Sequence, residues 1–286
     1  MEKRNAPGSV TAPGIARVTC AVAALSVLLA SCQAALVYEV RSSYSHIQVV
    51  DHGSRRALVF LGEKPSDAIE TVIDLREPHR LLHPYARTMT AGLIYRPDAS
   101  ACLLVGLGGG ALVRFLNHHF PEISLDVVEI DPVVVSVSRE FFGTGPGPRT
   151  RIFVEDGLQY LRRVPARYDL ILMNAHLHPG AGTDSAGMPL HLQEVAFLRS
   201  LHERLRPGGV VMFNMIASGD TATYIRNIRA AFPAVEIFRP LGSGNIIVMG
   251  AGSRPPDSEL RERARSLDRR GGHGFSFDRL LDERSR

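Results

Sequence analysis

Two neighbouring stretches decide the fold: Leu103–Gly110, which reads LLVGLGGG, and Val127–Pro132, which reads VVEIDP. The first is an apolar run that enters a glycine loop, and a helix-like stretch, Ala111–His119, follows it. The second is an apolar run that ends in an acid, Glu129. Glycines let a backbone approach a ligand closely, a helix N-terminus offers free N–H groups, and a strand-end acid can accept both hydroxyls of a ribose. We therefore predict a nucleoside-binding site at the mouth of a parallel sheet.

The glycine loop alone does not choose between two cofactors, because Gly106-x-Gly108-x-x-Ala111 also fits the dinucleotide fingerprint. The later sequence narrows the choice. It has an Asp-Gly after the third apolar run, a Tyr-Asp that opens the fourth and a Pro-Gly-Gly before the fifth: Asp156-Gly157, Tyr168-Asp169 and Pro207-Gly208-Gly209. With the acid-ended second strand, these features resemble the class I S-adenosylmethionine (SAM) methyltransferase fold, an α/β fold with a Rossmann-like sheet. A nicotinamide-binding domain is the alternative.

The composition excludes several classes of function. A length of 286 residues with 45% apolar residues suits one large domain with additions. The net charge is +4, and the arginines are scattered rather than arranged in a stripe with aromatic residues, so nucleic-acid binding is not indicated. The three cysteines and the close histidine pairs do not have zinc-ligand spacing. We predict neither a metal nor a disulfide framework.

The N-terminus has the composition of an export signal. Lys3, Arg4 and Arg17 precede an apolar stretch, Val18–Ala30, which is followed by Ser31 and Cys32. A positive leader, a short apolar run and small residues before a cysteine are typical of secretory signals. The ending resembles the bacterial lipobox, which implies lipidation of Cys32 and a membrane-associated lipoprotein. Two alternatives stay open: an uncleaved anchor, since a span needs about 20 apolar residues, and a cytoplasmic enzyme whose start codon is mis-chosen.

The region before the glycine loop predicts a small antiparallel β unit. Ser45–Val50 alternates, Ala57–Leu61 is a second apolar run, and Asp51–Ser54 between them has the composition of a turn. Pro84–Leu93 predicts a helix that leads into the first core strand. At the other end, the residues from Ser253 onwards are rich in charge and predict a solvated tail with a short helix. The chain therefore divides into a leader, a β unit, a SAM-type domain and a charged tail: 1–32, 36–75, 76–250 and 251–286.

Several motifs resemble the spermidine synthase family, the polyamine aminopropyltransferases. The opening of the β unit, with Glu39, Tyr44 and Ile47-Gln48-Val49, is similar to that family's pattern of Glu, Tyr and Ile-x-Val. Four further motifs resemble a bacterial branch of the family: Tyr85-x-Arg87-x-Met89, Gly106–Gly110, Val128–Pro132 and Pro189–Phe197. The resemblance implies a transferase that uses decarboxylated SAM or SAM as cosubstrate, with an amine acceptor. It also implies a homodimer, because the family is commonly dimeric.

The nucleoside-binding residues follow from the sheet geometry and from the resemblance. Gly106, Gly108 and Gly110 are expected to form the loop, and Glu129 to bind the ribose hydroxyls. The resemblance implies that Asp156, followed by Gly157, contacts the adenine amino group. For Asp156 a helix N-cap is the competing interpretation. Asp131, just before Pro132, is interpreted as a helix N-cap rather than a ligand contact.

The acceptor side departs from the family pattern. A diamine has a pKa near 10 and must lose a proton before it attacks, so a base is needed. In the family this base is an Asp at the end of the fourth strand, with a second acid three residues later, and here these positions hold Asn174 and Leu177. The resemblance places Tyr85 at the Tyr of the family's Tyr-His pair, a catalytic position, but Ala86 replaces the His. His176 is a candidate substitute base because His titrates near pH 6.5. We place the family's Gln-Ser or Gln-Thr pair near Lys64–Ser66, where a lysine would repel a polyamine.

The sequence thus predicts a spermidine synthase-like protein that binds SAM, decarboxylated SAM or methylthioadenosine and, if active, transfers an aminopropyl group to an amine. The replacement of the base by Asn174 leaves two alternatives. One is a small-molecule methyltransferase, because methyl transfer can proceed by proximity and orientation alone. The other is a non-catalytic, nucleoside-binding lipoprotein.

Overall fold

The computed structural model describes residues 34–62, 68–177 and 179–285. The predicted leader with Cys32 and the segment Lys64–Ser66 lie outside these ranges, so what the sequence indicates for them stays a prediction. Among the helices of the described residues, none is both long and apolar enough to cross a membrane.

The described chain begins with a four-stranded antiparallel sheet in the order β1-β2-β3-β4. A tight turn joins the second and third strands, and Gly53 in that turn has a φ of 62°. The strands occupy the region in which alternation predicts a β unit: β1 Ala35–Arg41, β2 His46–His52, β3 Arg55–Leu61 and β4 Ala68–Asp74.

A seven-stranded sheet follows, in the order β10-β11-β9-β8-β5-β6-β7. Strands β5 to β9 are mutually parallel, and β11 runs antiparallel to both of its neighbours. Every residue of β8 is buried, as expected for a strand covered on both faces. The α/β class predicted from the sequence is confirmed. The strands are β5 Ala101–Val105, β6 Ser124–Glu129, β7 Thr150–Val154, β8 Tyr168–Met173, β9 Leu205–Ile216, β10 Ala234–Phe238 and β11 Asn245–Ala251.

Helices cover both faces of this sheet. One apolar core packs α1, α2, α3, α8 and α9 on one face, and a second packs α5, α6 and α7 on the other. The helices are α1 Pro84–Met89, α2 Gly92–Tyr95, α3 Ala111–His119, α4 Pro132–Phe142, α5 Gly157–Arg163, α6 Val195–Glu203, α7 Thr221–Ala231, α8 Asp257–Arg270 and α9 Phe277–Leu280.

The small sheet packs on α4, which begins after β6. A third apolar core joins the two elements through Ile47, Val49, Leu58 and Ile73 of the sheet and Val134, Val137 and Phe142 of the helix. This contact holds the small sheet over the carboxyl ends of the parallel strands. The crevice between β5 and β8 lies there, at the point where the strand order reverses, which is where open α/β sheets bind ligands.

The C-terminal segment is not the solvated tail that its composition predicts. Its helix α8 carries Leu260, Ala264 and Leu267, and all three are buried in the main core. Their spacing of four and then three residues forms one apolar stripe, while the charges occupy the rest of the helix surface. Phe277 of α9 is fully buried in the same core. The predicted short helix is present, but the prediction of a solvated tail was wrong because composition averages over the helix, whereas packing depends on one face.

Asp169 of β8 connects two strands of the sheet through buried hydrogen bonds. It is 2% exposed, and it accepts hydrogen bonds from the N–H groups of Ser100 and Ala101 at 2.9 and 3.1 Å. Arg96 and Arg206 pair with the same carboxylate at 3.1 and 2.9 Å. Burial by itself raises the pKa of Asp169, but the hydrogen bonds from Ser100, Arg96 and Ala101 outweigh burial and hold the pKa below its usual range.

We predict that Asp169→Ala lowers the free energy of unfolding by about 3–5 kcal/mol, because it leaves buried partners without their charge. Urea titration at pH 7 measures this loss. Asp98→Ala is the matched control, since Asp98 pairs with the same Arg96 but is 68% exposed. That change should cost less than about 1 kcal/mol. If both variants lost the same free energy of unfolding, the buried contacts of Asp169 would not be the source of the stabilisation.

The direction of the pKa shift sets the pH dependence of that loss. Because the folded-state pKa of Asp169 is lowered, its stabilisation is fully present above the unfolded value of about 3.9. The stabilisation is lost as the pH falls through the folded value. The stability difference between the wild type and Asp169→Ala should therefore shrink below about pH 4.

Candidate functional site

The glycine loop between β5 and α3 lies directly against neighbouring backbone. Gly106, Gly108 and Gly110 have φ values of 92°, 52° and 73°, a region in which residues with a Cβ are strained. A Cβ on Gly106 would lie 2.2 Å from the backbone oxygen of Asn174. The loop therefore requires glycine for both its conformation and its close approach to the end of β8.

Glu129, at the end of β6, holds the loop from the other side. Its two carboxylate oxygens accept hydrogen bonds from the N–H groups of Leu107, at 2.8 Å, and Asp131, at 3.0 Å. Burial raises the pKa of Glu129, and these two N–H donors oppose part of the rise. The side chain also lines the pocket at the carboxyl ends of the strands. Each oxygen keeps a lone pair for a ribose hydroxyl, so the predicted role is geometrically open.

Asp131 and Asp156 both act as helix N-caps. Asp131 accepts from the Val133 N–H at the start of α4, as predicted, and Pro132 fills the first helical position. Asp156 accepts from the N–H groups of Leu158 and Gln159, so the competing interpretation from sequence is what the structure shows. The second oxygen of Asp156 lies 2.9 Å from Nε2 of His191. Asp156, Gly157 and His191 all line the pocket, and contact of Asp156 with an adenine stays a prediction.

The strand β4 contributes two pocket residues that the sequence analysis did not assign. Thr71 accepts a hydrogen bond from the Gly109 N–H through Oγ1 at 2.9 Å, and Glu70 lines the pocket beside it. The family's Gln-Thr pair was placed near Lys64–Ser66. The Glu70-Thr71 pair follows the β2–β3 hairpin, and Thr71 touches the glycine loop, whereas Lys64–Ser66 lies outside the described residues, so that placement stays a prediction. The sequence analysis did not single out Glu70 or Thr71.

Asn174 follows β8 and is oriented by a chain of side chains. Its Oδ1 accepts a hydrogen bond from Asn214 Nδ2 at 2.8 Å, and Asn214 Oδ1 accepts from Asn245 Nδ2 at 2.9 Å. Ser243 donates to Asn245 Oδ1 at 2.7 Å. Asn174 therefore presents its amide N–H groups to the pocket side. In the sequence, the one indication of this series of hydrogen bonds is a polar residue, Asn214, within the otherwise apolar end of strand β9.

Tyr85 lies behind the pocket wall rather than on it. Its hydroxyl donates to the backbone oxygen of Glu70 at 3.1 Å and is hydrogen bonded to the Asn174 side chain. Burial, followed by the negative charge of Glu70, raises the pKa of Tyr85 above its usual range, although the bond with Asn174 opposes this rise. A phenol in this setting stays protonated. The structure thus brings together Tyr85 and Asn174, which the sequence indicated, with Glu70, which it did not.

His176 lines the pocket two residues after Asn174. Burial lowers the pKa of His176 to about 4, and a weaker effect of Asp184 opposes the shift. Its Nε2 is buried and has no hydrogen-bond partner among the described residues. A neutral imidazole with this pKa is a much weaker base than the free His on which the prediction rested.

The charged side chains that line the pocket, among the described residues, are mainly acidic. Within the described ranges no Lys or Arg lines the pocket, whereas five carboxylates do: Glu70, Glu129, Asp131, Glu155 and Asp156. The small sheet contributes Ser45, Phe60, Glu70 and Thr71 to the same wall. An acidic, partly apolar pocket of this kind suits a ligand that carries positive charge.

One histidine group lies elsewhere. Ring nitrogens of His79, His118 and His119 lie within 4.8 Å of one another, a proximity that sequence spacing did not indicate. His118 and His119 end α3, and these side chains do not line the pocket described above.

The comparisons with known proteins identify the family. The model of the spermine/spermidine synthase domain matches residues 83–236, which is more than half of the chain. The chain belongs to the spermine/spermidine synthase family. A relative, the polyamine aminopropyltransferase of Vibrio vulnificus, is 30% identical over 246 residues, which cover 82% of this chain and 78% of that protein. The family and the transferase class implied by the motifs are therefore confirmed.

Methyltransferases of the same fold are also similar. The human eEF1A lysine and N-terminal methyltransferase is 31% identical over 197 residues, which cover 64% of this chain and 28% of that protein. A structure of human methyltransferase-like protein 13 in complex with SAH has a TM-score of 0.60 at 29% identity and covers 66% of this chain and 92% of that one. A spermidine synthase in complex with the transition-state analogue AdoDATO has a TM-score of 0.65 at 17% identity, over 87% and 84% of the two chains, and shows the fold alone.

We predict that Glu129→Gln weakens the binding of methylthioadenosine about ten-fold to a hundred-fold, because a lost hydrogen bond to a charged group is worth about 1.5–3 kcal/mol. Calorimetric titration of the full chain measures the affinity. Glu140→Gln, on the exposed side of α4, is the control and should bind as the wild type does. Urea unfolding checks that the variant keeps its fold, and unchanged affinity in a folded Glu129→Gln protein would contradict the ribose assignment.

Proposed function

We propose that this protein binds decarboxylated SAM and transfers its aminopropyl group to a small amine, releasing methylthioadenosine. The observation that carries the proposal is the charge of the pocket, where five carboxylates and no Lys or Arg stand among the described lining residues. Decarboxylated SAM carries a sulfonium and an ammonium group and no carboxylate, so its charge complements this wall. SAM carries an additional carboxylate, which such a wall repels.

Membership of the family supports the same reaction. The curated relatives from Vibrio vulnificus and Chromobacterium violaceum are named polyamine aminopropyltransferases. The backbone of the loop, Glu129 and Asp156 would hold the nucleoside, with the aminopropyl arm directed past the end of β8 towards Asn174. The small sheet, which covers the pocket through Ser45 and Phe60, would limit the access of water.

A second candidate function is SAM-dependent methyl transfer. Two observations favour it: Asn174 replaces the family's acid, and a relative that is 31% identical over 64% of this chain is named a methyltransferase. Methyl transfer can proceed by positioning alone, so it tolerates an amide at this place.

We expect the full chain to form methylthioadenosine from decarboxylated SAM and a diamine such as putrescine, and to form no S-adenosylhomocysteine from SAM with the same amine. Mass spectrometry of the nucleoside product separates the two functions. We also expect decarboxylated SAM to bind at least about ten-fold more tightly than SAM, a difference of about 1.4 kcal/mol. Tighter binding of SAM together with S-adenosylhomocysteine as product would establish methyl transfer instead. Binding without any turnover would indicate a non-catalytic protein.

A further inference from the structure

Glu70 differs from the other four acids of the pocket. Each of those is held by a protein partner: Glu129 and Asp131 by backbone N–H groups, Asp156 by the N-terminus of α5 and His191, and Glu155 by Arg163 at 2.6 Å. The carboxylate of Glu70 has no hydrogen bond or ion pair with any residue in the ranges 34–62, 68–177 and 179–285. The Glu70 side chain is partly exposed within the pocket, so a cationic ligand that enters the pocket can pair with this carboxylate directly.

Glu70 also lies where an acceptor amine must lose a proton. Its backbone oxygen is bonded to the Tyr85 hydroxyl, which in turn is bonded to the side chain of Asn174 at the end of β8. Asn174 is held with its oxygen towards Asn214, and an amide cannot take up a proton at neutral pH. Glu70 and Asn174 line the pocket and Tyr85 lies behind them, and Glu70 is the member of this set that can act as an acid or a base near neutrality.

We infer that Glu70 receives the acceptor amine and takes its proton during aminopropyl transfer. The inference rests on the proposed function and goes beyond it, because it names the group that replaces the missing strand-end acid and a cationic amine as the class of acceptor. Tyr85 and Asn174 act as positioning residues, since their hydrogen bonds fix the backbone of Glu70 and the end of β8.

The step balances as a displacement. The amine nitrogen forms a bond to the aminopropyl carbon that is attached to the sulfonium, and the carbon–sulfur bond breaks. The sulfur keeps the electron pair and leaves as neutral methylthioadenosine. The proton of the attacking nitrogen passes to the Glu70 carboxylate, so the step requires no oxidant or further reactant.

His176 competes with Glu70 for the role of base, and the pKa values of the two groups separate them. Burial, followed by the charge of Glu129, raises the pKa of Glu70 to about 7, whereas burial lowers the pKa of His176 to about 4. A base with a pKa nearer that of the amine takes the proton more readily, so Glu70 is the better acceptor. Of the titratable groups around Glu70, Glu129 and Tyr85 interact with it electrostatically, and the others that line the same pocket are Asp131, Glu155, Asp156, His176 and His191.

The test compares Glu70→Gln with Glu77→Gln, the same change at an exposed residue that pairs with Arg80 in the loop after β4. With the full chain, decarboxylated SAM and putrescine, the wild-type rate should rise with pH through about 7 as Glu70 loses its proton. Glu70→Gln should lower kcat at least about 100-fold and abolish that rise, because general-base catalysis contributes about 10²–10⁴-fold. Glu77→Gln should keep both the rate and the pH profile. An unchanged profile in Glu70→Gln would overturn the inference while the proposed function stands.

A binding measurement separates failure of the inference from failure of the proposed function. Putrescine is titrated calorimetrically into the full chain saturated with methylthioadenosine, and Glu70→Gln should weaken its binding at least about ten-fold. Equal binding by the two proteins, or none by the wild type, would overturn the inference. Glu70-dependent binding without turnover of any amine would overturn the proposed transfer and the proton-taking role, and would leave Glu70 as an amine-binding group only.

Urea unfolding tests separately how Glu70→Gln affects the stability of the fold. Because the folded-state pKa of Glu70 is raised, ionisation of Glu70 disfavours the fold above its unfolded pKa of about 4.3. Glu70→Gln should therefore shift the urea midpoint upwards at pH 8, with the difference from the wild type vanishing below about pH 4. A lower midpoint at pH 8 would show that Glu70 is satisfied in the free protein and would contradict the inference.

Discussion

The close approach of the glycine loop to the ends of β6 and β8 is the constraint on which the site depends. The loop must pass within contact distance of the Asn174 backbone, where no Cβ fits at Gly106. Its N–H groups must also face Glu129 and Thr71, which come from two other strands. Three separate parts of the chain therefore meet at one short backbone segment, and a shift of any one of them would displace the others.

This constraint also explains why acids gather in the pocket. A strand-end acid such as Glu129 is held because the loop supplies N–H donors, and Asp131 and Asp156 are held because helices begin there. Each carboxylate thus has a local structural reason for its position. Burial, followed by the negative charge of Glu129, raises the pKa of Glu70, the acid that has no donor of its own among the described residues.

The sequence predicted those parts of the site that are encoded locally. The loop glycines, Glu129, the N-cap at Asp131 and the succession of core strands along the chain all follow from runs of a few residues and from the resemblance to the family. What it did not predict depends on contacts between distant segments. Glu70 reaches the pocket only because the small sheet packs on α4, and the Ser243–Asn245–Asn214–Asn174 chain crosses three strands of the sheet. The tail was misjudged for a related reason, since one apolar stripe at 260, 264 and 267 decides its packing rather than its average charge.

The electrostatics of the pocket wall explain why an acid at position 70 is found together with an amide at position 174. An acid at position 174 would stand close to Glu70 and Glu129, and like charges at short range cannot all remain ionised near neutral pH. One acid and one amide avoid this cost, and the amide fits the direction of the Asn214 hydrogen bond. The resemblance to the family implies an acid after β8, where this chain has Asn174, and the same pocket holds the acid Glu70. With Glu70 as the inferred proton acceptor and Asn174 as the hydrogen-bonding amide, both groups lie around Tyr85, so the loss of the acid at the end of β8 does not by itself imply the loss of the chemistry.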